Sequence, residues 1–219
     1  MLANDPFSSN FAAYVRDNTR QPIKSSSSKR ANPFAFGGGH VRPNRAMNPG
    51  LVYDLTPEDY LSFLCPLGYP PSELKKITPM PHSCPNKSSD LLNFNYPSIT
   101  VPNLSGMVNV TRTLKNVGQP GTYRVRIWEP HSISVSVEPE VLTFEDIGDE
   151  KKFKVIFEGK KIDFGGEYVF GRLKWTDGVH HVRSPLVVRV GNGTRKEERS
   201  HRLHRPRHNV RLKPSTLAI

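Results

Sequence analysis

Between about residues 93 and 190, apolar and polar residues alternate with a period of two, and this pattern limits the possible fold more than any other feature. Such alternation is typical of β-strands that bury one face and leave the other in water. Turn-forming residues separate the runs, at Gln119-Pro120-Gly121, Glu138-Pro139-Glu140, Ile147-Gly148-Asp149, Gly165-Gly166 and Asp177-Gly178. Roughly six or seven short strands at this spacing predict a mainly β fold, a small antiparallel β-sandwich.

The chain before the sandwich predicts helix and loop. Thr56 suits the N-cap of a helix, Pro57 suits the first helical position, and Asp59 completes a capping box three residues after the cap. Gly68 is well placed to end this helix. A shorter helix is predicted from about residue 72 to 77. The apolar face of the first helix is predicted to contain Tyr60, Phe63, Leu64 and Leu67.

The formal net charge of +11 is concentrated near the end of the sequence. Between Arg195 and Lys213 there are eight Lys or Arg residues against two acids, so this stretch carries 8 − 2 = +6 of that charge. Residues 191–219 lack apolar periodicity and are predicted to form a disordered basic tail. The tail has no interleaved aromatic residues for base stacking, so no specific nucleic acid is predicted as a partner.

The cysteines and sequons favour the secretory pathway. Cys65 and Cys84 are too far apart in sequence for a C-x-x-C redox motif, so we expect a structural disulfide that pins the first helix to the following loop. Four N-x-S/T sequons are N-glycosylation candidates, at Asn86, Asn103, Asn109 and Asn192. Residues 1–14 nevertheless lack the basic start and apolar core of a signal peptide. We interpret this conflict as a sign of truncation.

The sequence predicts no membrane span, no metal site and no cofactor. No stretch approaches the roughly 20 apolar residues that cross a bilayer. Neither H-E-x-x-H nor paired C-x-x-C spacing occurs, and the serines of residues 25–28 have no neighbouring base. The histidines before the tail are interpreted as structural or surface residues: His40, His82, His131, His180 and His181.

Five segments resemble, in order, parts of the plant subtilisin-like serine proteases, the subtilases. Residues 34–54, which run from Phe-Ala-Phe-Gly-Gly-Gly-His to Leu-Val-Tyr-Asp, resemble the end of the family's catalytic domain, and residues 59–69 resemble the stretch immediately after that domain. Asn-Phe-Asn-Tyr-Pro-Ser-Ile at 93–99 resembles the start of a fibronectin-III-like domain. Residues 110–118 resemble the best-known internal motif of that domain, and residues 173–185 resemble its final strands.

The resemblance covers about residues 16–190 and implies a secreted endopeptidase with an Asp/His/Ser triad. In the family, those residues lie upstream of the matched part, and the nucleophile motif Gly-Thr-Ser-Met does not occur in this sequence. Acyl transfer needs the hydroxyl, the imidazole, the carboxylate and the oxyanion donors together. We therefore expect no peptidase activity and assign no catalytic residue.

Composition and the resemblance together predict four regions. The composition indicates an unmatched or linker N-terminus at 1–30 and the tail at 191–219. The resemblance implies a remnant of the peptidase domain with one or two helices at 31–92 and a fibronectin-III-like sandwich at 93–190. Without its usual neighbours, the remnant should expose apolar surface around Phe34, Phe36 and Leu51.

In the family, the sandwich packs on the protease domain, supports its folding and activity, and in some members contributes to dimer contacts. The implied partner is therefore a subtilase catalytic domain or a like subunit, with a homodimer as one form. The implied location is extracellular for the parent family, whereas this chain's own location stays open. Two alternatives are a secreted β-sandwich interaction module without a protease parent and a nucleic-acid binder that uses the basic tail.

Overall fold

The computed structural model describes residues 21–39, 46–78, 82–84, 90–160 and 166–191. The α-helices of the described chain are α1 (Pro33–Phe36), α2 (Pro57–Leu64) and α3 (Pro71–Leu74), with 3-10 turns at Cys65–Leu67 and Leu91–Asn93. Its strands are β1 (Leu51–Val52), β2 (Ile99–Leu104), β3 (Met107–Asn116), β4 (Gly121–Trp128), β5 (Ile133–Glu138), β6 (Val141–Phe144), β7 (Glu150–Gly159), β8 (Tyr168–Thr176) and β9 (His181–Val190).

The strands form two sheets that pack face to face, which confirms the mainly β sandwich. One sheet has the order β1-β3-β7-β5, and the other has the order β2-β9-β8-β4-β6. One strand pair departs from the predicted antiparallel arrangement, because β2 runs parallel to β9. Strand β2 had no clear alternation in sequence and contains Pro102, which is tolerated because β2 lies at the edge of its sheet.

The predicted alternation places the apolar side chains of the strands between the two sheets. Ile133, Val135 and Val137 of β5 are buried, and Trp175 of β8 is buried edge-on against Phe153 of β7 with ring centroids 5.2 Å apart. Burial of a side chain of this size stabilises the fold by about 1.5–3 kcal/mol. The core therefore lies within residues 99–190, with one addition from β1.

Strand β8 buries polar side chains as well as apolar ones. Arg172 and Lys174 project away from the core, yet both are buried, because they lie against the ring of Trp128. The guanidinium carbon of Arg172 is 3.8 Å from the ring centroid, and the Lys174 ammonium is 5.9 Å from it. This cation–π stack covers the outer face of the central strands.

Helix α2 begins as predicted but buries a different residue. The Asp59 amide donates to Thr56 Oγ1 over 3.3 Å, and the Thr56 amide donates to Asp59 Oδ2 over 2.7 Å, which confirms the capping box. The predicted apolar face is wrong in part, because Tyr60 is half-exposed and Leu61 is the buried residue of the helix. Phe63 and Tyr60 of the predicted face nevertheless contact the ring of Phe94, with centroid distances of 4.5 and 5.6 Å.

The ends of the two predicted helices are close to their expected positions. Gly68, at φ +88°, ends the 3-10 turn that extends α2. The second helix begins at Pro71 and ends at Leu74, so it is shorter than the predicted range of 72–77. No helix among the described residues has both the length and the apolar character needed to cross a bilayer.

The expectation that Leu51 is exposed is wrong. Its side chain is 2% exposed, because β1 pairs with the end of β3 and adds Leu51 to the sandwich core. Phe34, by contrast, is 60% exposed, and Phe36 is half-buried. The part of the chain that precedes the fibronectin-like region is therefore not separate from the sandwich, but contributes a strand to it.

Candidate functional site

The segment 49–54 lies along the edge of the sandwich and is held by residues of both sheets; we call this contact the junction. In the junction, Leu51 pairs with Asn116 and Val52 pairs with Lys115. The carbonyl oxygen of Gly50 accepts hydrogen bonds from the amides of both Val117 (2.9 Å) and Gly118 (3.1 Å). The Asn116-Val117-Gly118 motif is therefore the part of the sandwich that binds the Pro-Gly-Leu-Val-Tyr segment at residues 49–53.

Two glycines allow the backbones of the junction to meet. Gly50 has φ +76°, and a Cβ atom there would lie 2.4 Å from the Tyr123 hydroxyl and 2.9 Å from Cβ of His180. A Cβ atom on Gly118 would lie 3.2 Å from the Cα of Gly50. A side chain at position 50 would collide with a buried phenol and would also force an unfavourable backbone conformation.

Asn116 holds in place the part of the sandwich that contacts the segment 49–54. Its side chain is fully buried, its Nδ2 donates to the Asp146 carbonyl over 3.0 Å, and its Oδ1 accepts from the Gly118 amide over 3.1 Å. Its backbone amide donates to the Asp149 carbonyl over 2.8 Å. The residue thus ties the end of β3 to the β6–β7 turn, and its buried amide group is satisfied.

Tyr53 fastens the segment to the opposite sheet. Its hydroxyl lies 2.6 Å from Oγ of Ser184, a fully buried residue of β9. Burial raises the pKa of Tyr53 to about 12, although the hydrogen bond with Ser184 and the charge of Arg112 act in the other direction. The phenol is therefore neutral at physiological pH and bridges the two sheets.

Arg112 fixes the start of the fibronectin-like region. Its side chain, 4% exposed, occupies an inward position on β3. Its Nε donates to the Tyr96 carbonyl over 2.9 Å, and its Nη1 donates to the Leu92 carbonyl over 2.6 Å. Burial lowers the pKa of Arg112 to about 10, so the guanidinium keeps its charge near neutral pH. One buried cation therefore holds the carbonyls on both sides of the segment 93–95.

The Asn-Phe-Asn sequence caps the free edge of β3. Oδ1 of Asn93 accepts from the Thr111 amide over 2.7 Å, and Oδ1 of Asn95 accepts from the Thr113 amide over 2.8 Å. Nδ2 of Asn95 also donates to the Asp54 carbonyl over 3.2 Å. These side chains replace a neighbouring strand beyond the end of β1 and protect the edge from pairing with another chain.

A carboxylate and an imidazole meet at the other end of the junction. Asp177 accepts hydrogen bonds from the amides of Val179 and His180, and His180 Nδ1 lies 2.7 Å from its Oδ2. Burial alone would raise the pKa of Asp177, but the hydrogen bonds from His180 and Val179 outweigh it and lower the pKa to about 2.

The third member of this cluster is a phenol and not an activated hydroxyl. The Tyr123 hydroxyl lies 3.4 Å from His180 Nδ1, and burial together with the charge of Asp177 raises its pKa to about 12. The cluster therefore orients Tyr123 against Gly50. His181 points elsewhere, to Thr176 Oγ1 at 2.8 Å, in keeping with the predicted opposite orientation of the two histidines.

The predicted site residues lie apart from the junction. The Sγ atoms of Cys65 and Cys84 are 2.07 Å apart, with Cα atoms 5.7 Å apart, so the structure brings the pair to bonding distance at the end of α2. Asn103 and Asn109 are exposed on β2 and β3. The other two sequons, at Asn86 and Asn192, and most of the predicted tail lie outside the described residues.

Two further features could hold a small ligand or ion. A groove of about 550 Å³ lies beside the junction and is lined by Asp54, Asp59, Phe63, Asp90, Asn95 and Lys115, among others. Lys115 spans it to Asp54 over 2.8 Å and lowers the pKa of that carboxyl. Among the described residues, a group with metal-ligand chemistry is formed by Cys65, His82 and Cys84. The sequence predicted no role for the groove. For the second feature it predicted only the Cys65–Cys84 disulfide, with His82 as a structural or surface residue.

Residues 93–188 match the family model described as a fibronectin type-III domain. The chain is 50% identical to subtilisin-like protease SBT5.4 of Arabidopsis thaliana over 81% of its own length and 23% of that protein. It is 48% identical to subtilisin-like protease SBT5.3 of the same plant, over 81% of this chain and 23% of that protein. Subtilisin-like protease Glyma18g48580 of Glycine max is 45% identical over 81% of this chain and 23% of its own length.

The chain thus spans about a quarter of the length of the curated relatives that it matches. Among solved structures, the Pseudomonas aeruginosa CupB2 chaperone aligns with 47% of this chain and 56% of its own, at 14% identity and a TM-score of 0.32, and this weak similarity carries no argument. These relatives are of the same family, the plant subtilisin-like proteases, that the sequence motifs resemble. The chain is a relative of the plant subtilisin-like proteases that carries a fibronectin type-III domain.

Proposed function

We propose that the chain is the non-catalytic portion of a subtilisin-like serine endopeptidase, and that its sandwich supports the folding, stability and oligomerisation of the protease domain. The single observation that carries this proposal is the junction. The segment 49–54 is built into the sandwich by β1, by the paired hydrogen bonds to the Gly50 carbonyl and by the Tyr53–Ser184 contact.

The junction supports a mechanical role. A segment that contributes Leu51 to the sandwich core cannot leave without exposing that side chain and breaking the backbone pairing with Asn116. The resemblance assigns residues 34–54 to the end of a protease domain. The sandwich would therefore hold the end of the protease domain in place. For the protease domain to unfold at this end, the segment 49–54 would have to leave the sandwich, and the stability of the sandwich opposes this.

No peptidase activity is proposed for this chain. The carboxylate–imidazole pair of Asp177 and His180 faces the hydroxyl of Tyr123, whose raised pKa makes it a poor nucleophile. A fluorophosphonate probe, which labels activated serines, should leave the purified chain unlabelled while it labels intact SBT5.4. Labelling of this chain, or turnover of a peptide substrate by it, would overturn this part of the proposal.

The secretory pathway is the location that we propose for the chain. Exposed Asn103 and Asn109 are accessible to an oligosaccharide, and the Cys65–Cys84 pair suits an oxidising compartment. Expression in plant cells with an added secretion signal should yield a product whose mass falls on treatment with a peptide-N-glycosidase. An unchanged mass would count against this location.

A second candidate function is a free interaction module, and one observation favours it. Phe34 is 60% exposed and lies edge-on to Tyr168 and Phe170, with centroid distances of 5.0 and 5.8 Å. Tyr168 and Phe170 are half-buried, so the cluster is partly exposed through Phe34. Aromatic residues of this kind are enriched at protein–protein contacts. Capture of intact subtilases by the immobilised chain, lost in a Phe34→Ser variant, would favour this function.

Nucleic-acid binding by the basic tail stays a third possibility from the sequence. Its affinity should fall steeply with salt and vanish when residues 191–219 are deleted. The described structure adds no support for it.

A further inference from the structure

Three side chains with metal-ligand chemistry meet at the end of α2, outside the junction. Sγ of Cys65, Nε2 of His82 and Sγ of Cys84 all lie within 4.8 Å of one another. The distance from Cys65 Sγ to His82 Nε2 is 3.5 Å. The side chain of His82 is only 2% exposed, so its ring is held at this position by packing.

A carboxylate lies beside the nitrogen of the imidazole ring that faces away from Sγ of Cys65. Oε1 of Glu58, in the first turn of α2, lies 2.6 Å from Nδ1 of His82. The contact has the distance of an ion pair but lacks well-aligned hydrogen-bond geometry. It directs the opposite nitrogen, Nε2, towards the two sulfur atoms. Histidines that bind metals commonly have such a carboxylate on their second nitrogen, where it fixes the tautomer and raises the basicity of the ligand.

The spacing of the ligand atoms fits a tetrahedral thiophilic cation. With a Zn–S distance of about 2.3 Å and a Zn–N distance of about 2.0–2.1 Å, sulfur and nitrogen ligands lie about 3.5 Å apart and two sulfur ligands about 3.8 Å apart. The sulfur–nitrogen distance already has this value. The two sulfur atoms, at bonding distance in the disulfide, would have to separate.

We propose that, once the Cys65–Cys84 disulfide is reduced, Cys65, His82 and Cys84 bind one thiophilic divalent cation of the zinc type. Glu58 orients His82, and the fourth position is open to water. A thiol or phosphine reductant supplies the two electrons that cleave the S–S bond and is itself oxidised. Each sulfur atom takes up one proton, from the thiol reductant or from the water that is consumed with a phosphine, so the cysteines leave this step as two thiols. Binding of the cation then displaces both thiol protons to solvent.

The test uses the full chain and cobalt as a spectroscopic probe. The protein is reduced with a phosphine under argon, and its circular dichroism is compared with that of the oxidised form. Co²⁺ is then titrated in, and the thiolate-to-cobalt charge-transfer band is followed. We expect one equivalent to bind to the reduced chain, none to give the band with the oxidised chain, and Zn²⁺ to displace the cobalt.

Variants separate this site from other ligands in the chain. Cys65→Ser/Cys84→Ser should abolish the band, and His82→Gln and Glu58→Gln should each weaken Co²⁺ binding by about 10–100-fold. The tail contains His201, His204 and His208, which can bind metal without sulfur. Replacing all three with Ala should leave the band unchanged, as should His131→Ala on the exposed surface.

Several outcomes would overturn the proposal. One is a folded, reduced chain that gives no charge-transfer band. A second is a band that His82→Gln does not alter, since the cysteines would then act without the imidazole. A third is loss of the folded dichroism signal on reduction that Co²⁺ or Zn²⁺ does not restore, because the proposal requires the reduced site to exist in the folded chain.

Discussion

The hydroxyl of Tyr123 occupies the space in which a side chain at residue 50 would begin, 2.4 Å from the position of a Cβ atom on Gly50. Tyr123 cannot withdraw, because its ring is buried edge-on against Phe144 and its hydroxyl faces His180. The approach of these two residues sets how closely the segment 49–54 lies on the sandwich.

Gly50→Ala is expected to destabilise the chain strongly. The left-handed backbone would cost about 1–2 kcal/mol with any side chain, and the collision with Tyr123 and His180 would add about 1–3 kcal/mol of overpacking. Urea unfolding followed by tryptophan fluorescence measures the sum, because Trp175 lies in the core.

Gly148→Ala is the matched control for this change. Gly148 has φ +95°, and a Cβ atom there would meet nothing within 4 Å. Gly148→Ala should therefore lose only the unfolding free energy that a side chain costs in a left-handed backbone conformation, with no loss from a steric collision. Equal losses of unfolding free energy in the two variants would mean that the close contact with Tyr123 does not hold the junction together.

Arg112→Met is expected to loosen the start of the fibronectin-like region. Methionine fills much of the same space but donates no hydrogen bonds, so the carbonyls of Leu92 and Tyr96 lose their donors. Each buried acceptor left unpaired costs about 1–3 kcal/mol. Hydrogen exchange should show faster exchange of the amides of Thr111 and Thr113, which are held by Asn93 and Asn95 in the same segment.

The control is Arg124→Met on the exposed face of β4. Stability and exchange should change little there, because the side chain lies in solvent. If Arg112→Met left the exchange of Thr111 and Thr113 unaltered, the guanidinium would not be what fixes residues 92–98.

Asp177 is expected to make the junction sensitive to acid. Its pKa falls from 3.8 to about 2 in the folded chain, so the folded state binds its proton more weakly than the unfolded state does. The carboxylate therefore contributes stability that is fully present above about pH 4, and that is lost as the pH falls towards 2.

The difference in unfolding free energy between the native chain and Asp177→Asn measures this contribution. It should be largest near neutral pH and shrink between pH 4 and 2. Glu140→Gln, in the exposed turn between β5 and β6, is the control and should show no comparable trend. A gap between the native chain and Asp177→Asn that stays constant over this range would contradict the assignment.

The Cys65–Cys84 pairing predicts a defined product in a peptide map. Digestion without reductant should give one cross-linked pair of peptides that separates on reduction. Closing a loop of 19 residues is expected to stabilise the chain by about 3 kcal/mol by the chain-entropy argument. Free thiols in the oxidised, folded protein, or cross-links between molecules instead, would contradict the pairing.

Much of the fold could be predicted because local rules and tertiary structure agree. The alternation in β5 and β7 and the capping box of Thr56 depend on neighbours in sequence. Strand β1 could not be predicted, because two residues carry no periodicity and Leu51 becomes buried only by pairing with Asn116. The parallel pairing of β2 with β9 likewise joins segments that are far apart in sequence.

The sequence contained the motifs that form the junction, but it did not indicate that these motifs contact one another. One signal was nevertheless present: Arg112 falls in phase with Val110 and Leu114, so a charged residue occupies an inward position of β3. Such a position requires buried acceptors, and the segment 92–98 supplies them. The Glu58–His82 contact had no comparable signal, because 24 positions separate the two residues and no pattern relates them.

The most direct test of the account is peptide turnover by three samples made in parallel. They are this chain alone, SBT5.4 without the region that resembles this chain, and the two expressed together. The account predicts turnover only from the combined sample, with less recovery when the chain carries Gly50→Ala than when it carries Gly148→Ala. Turnover by this chain alone, or full activity of shortened SBT5.4 without it, would contradict the account.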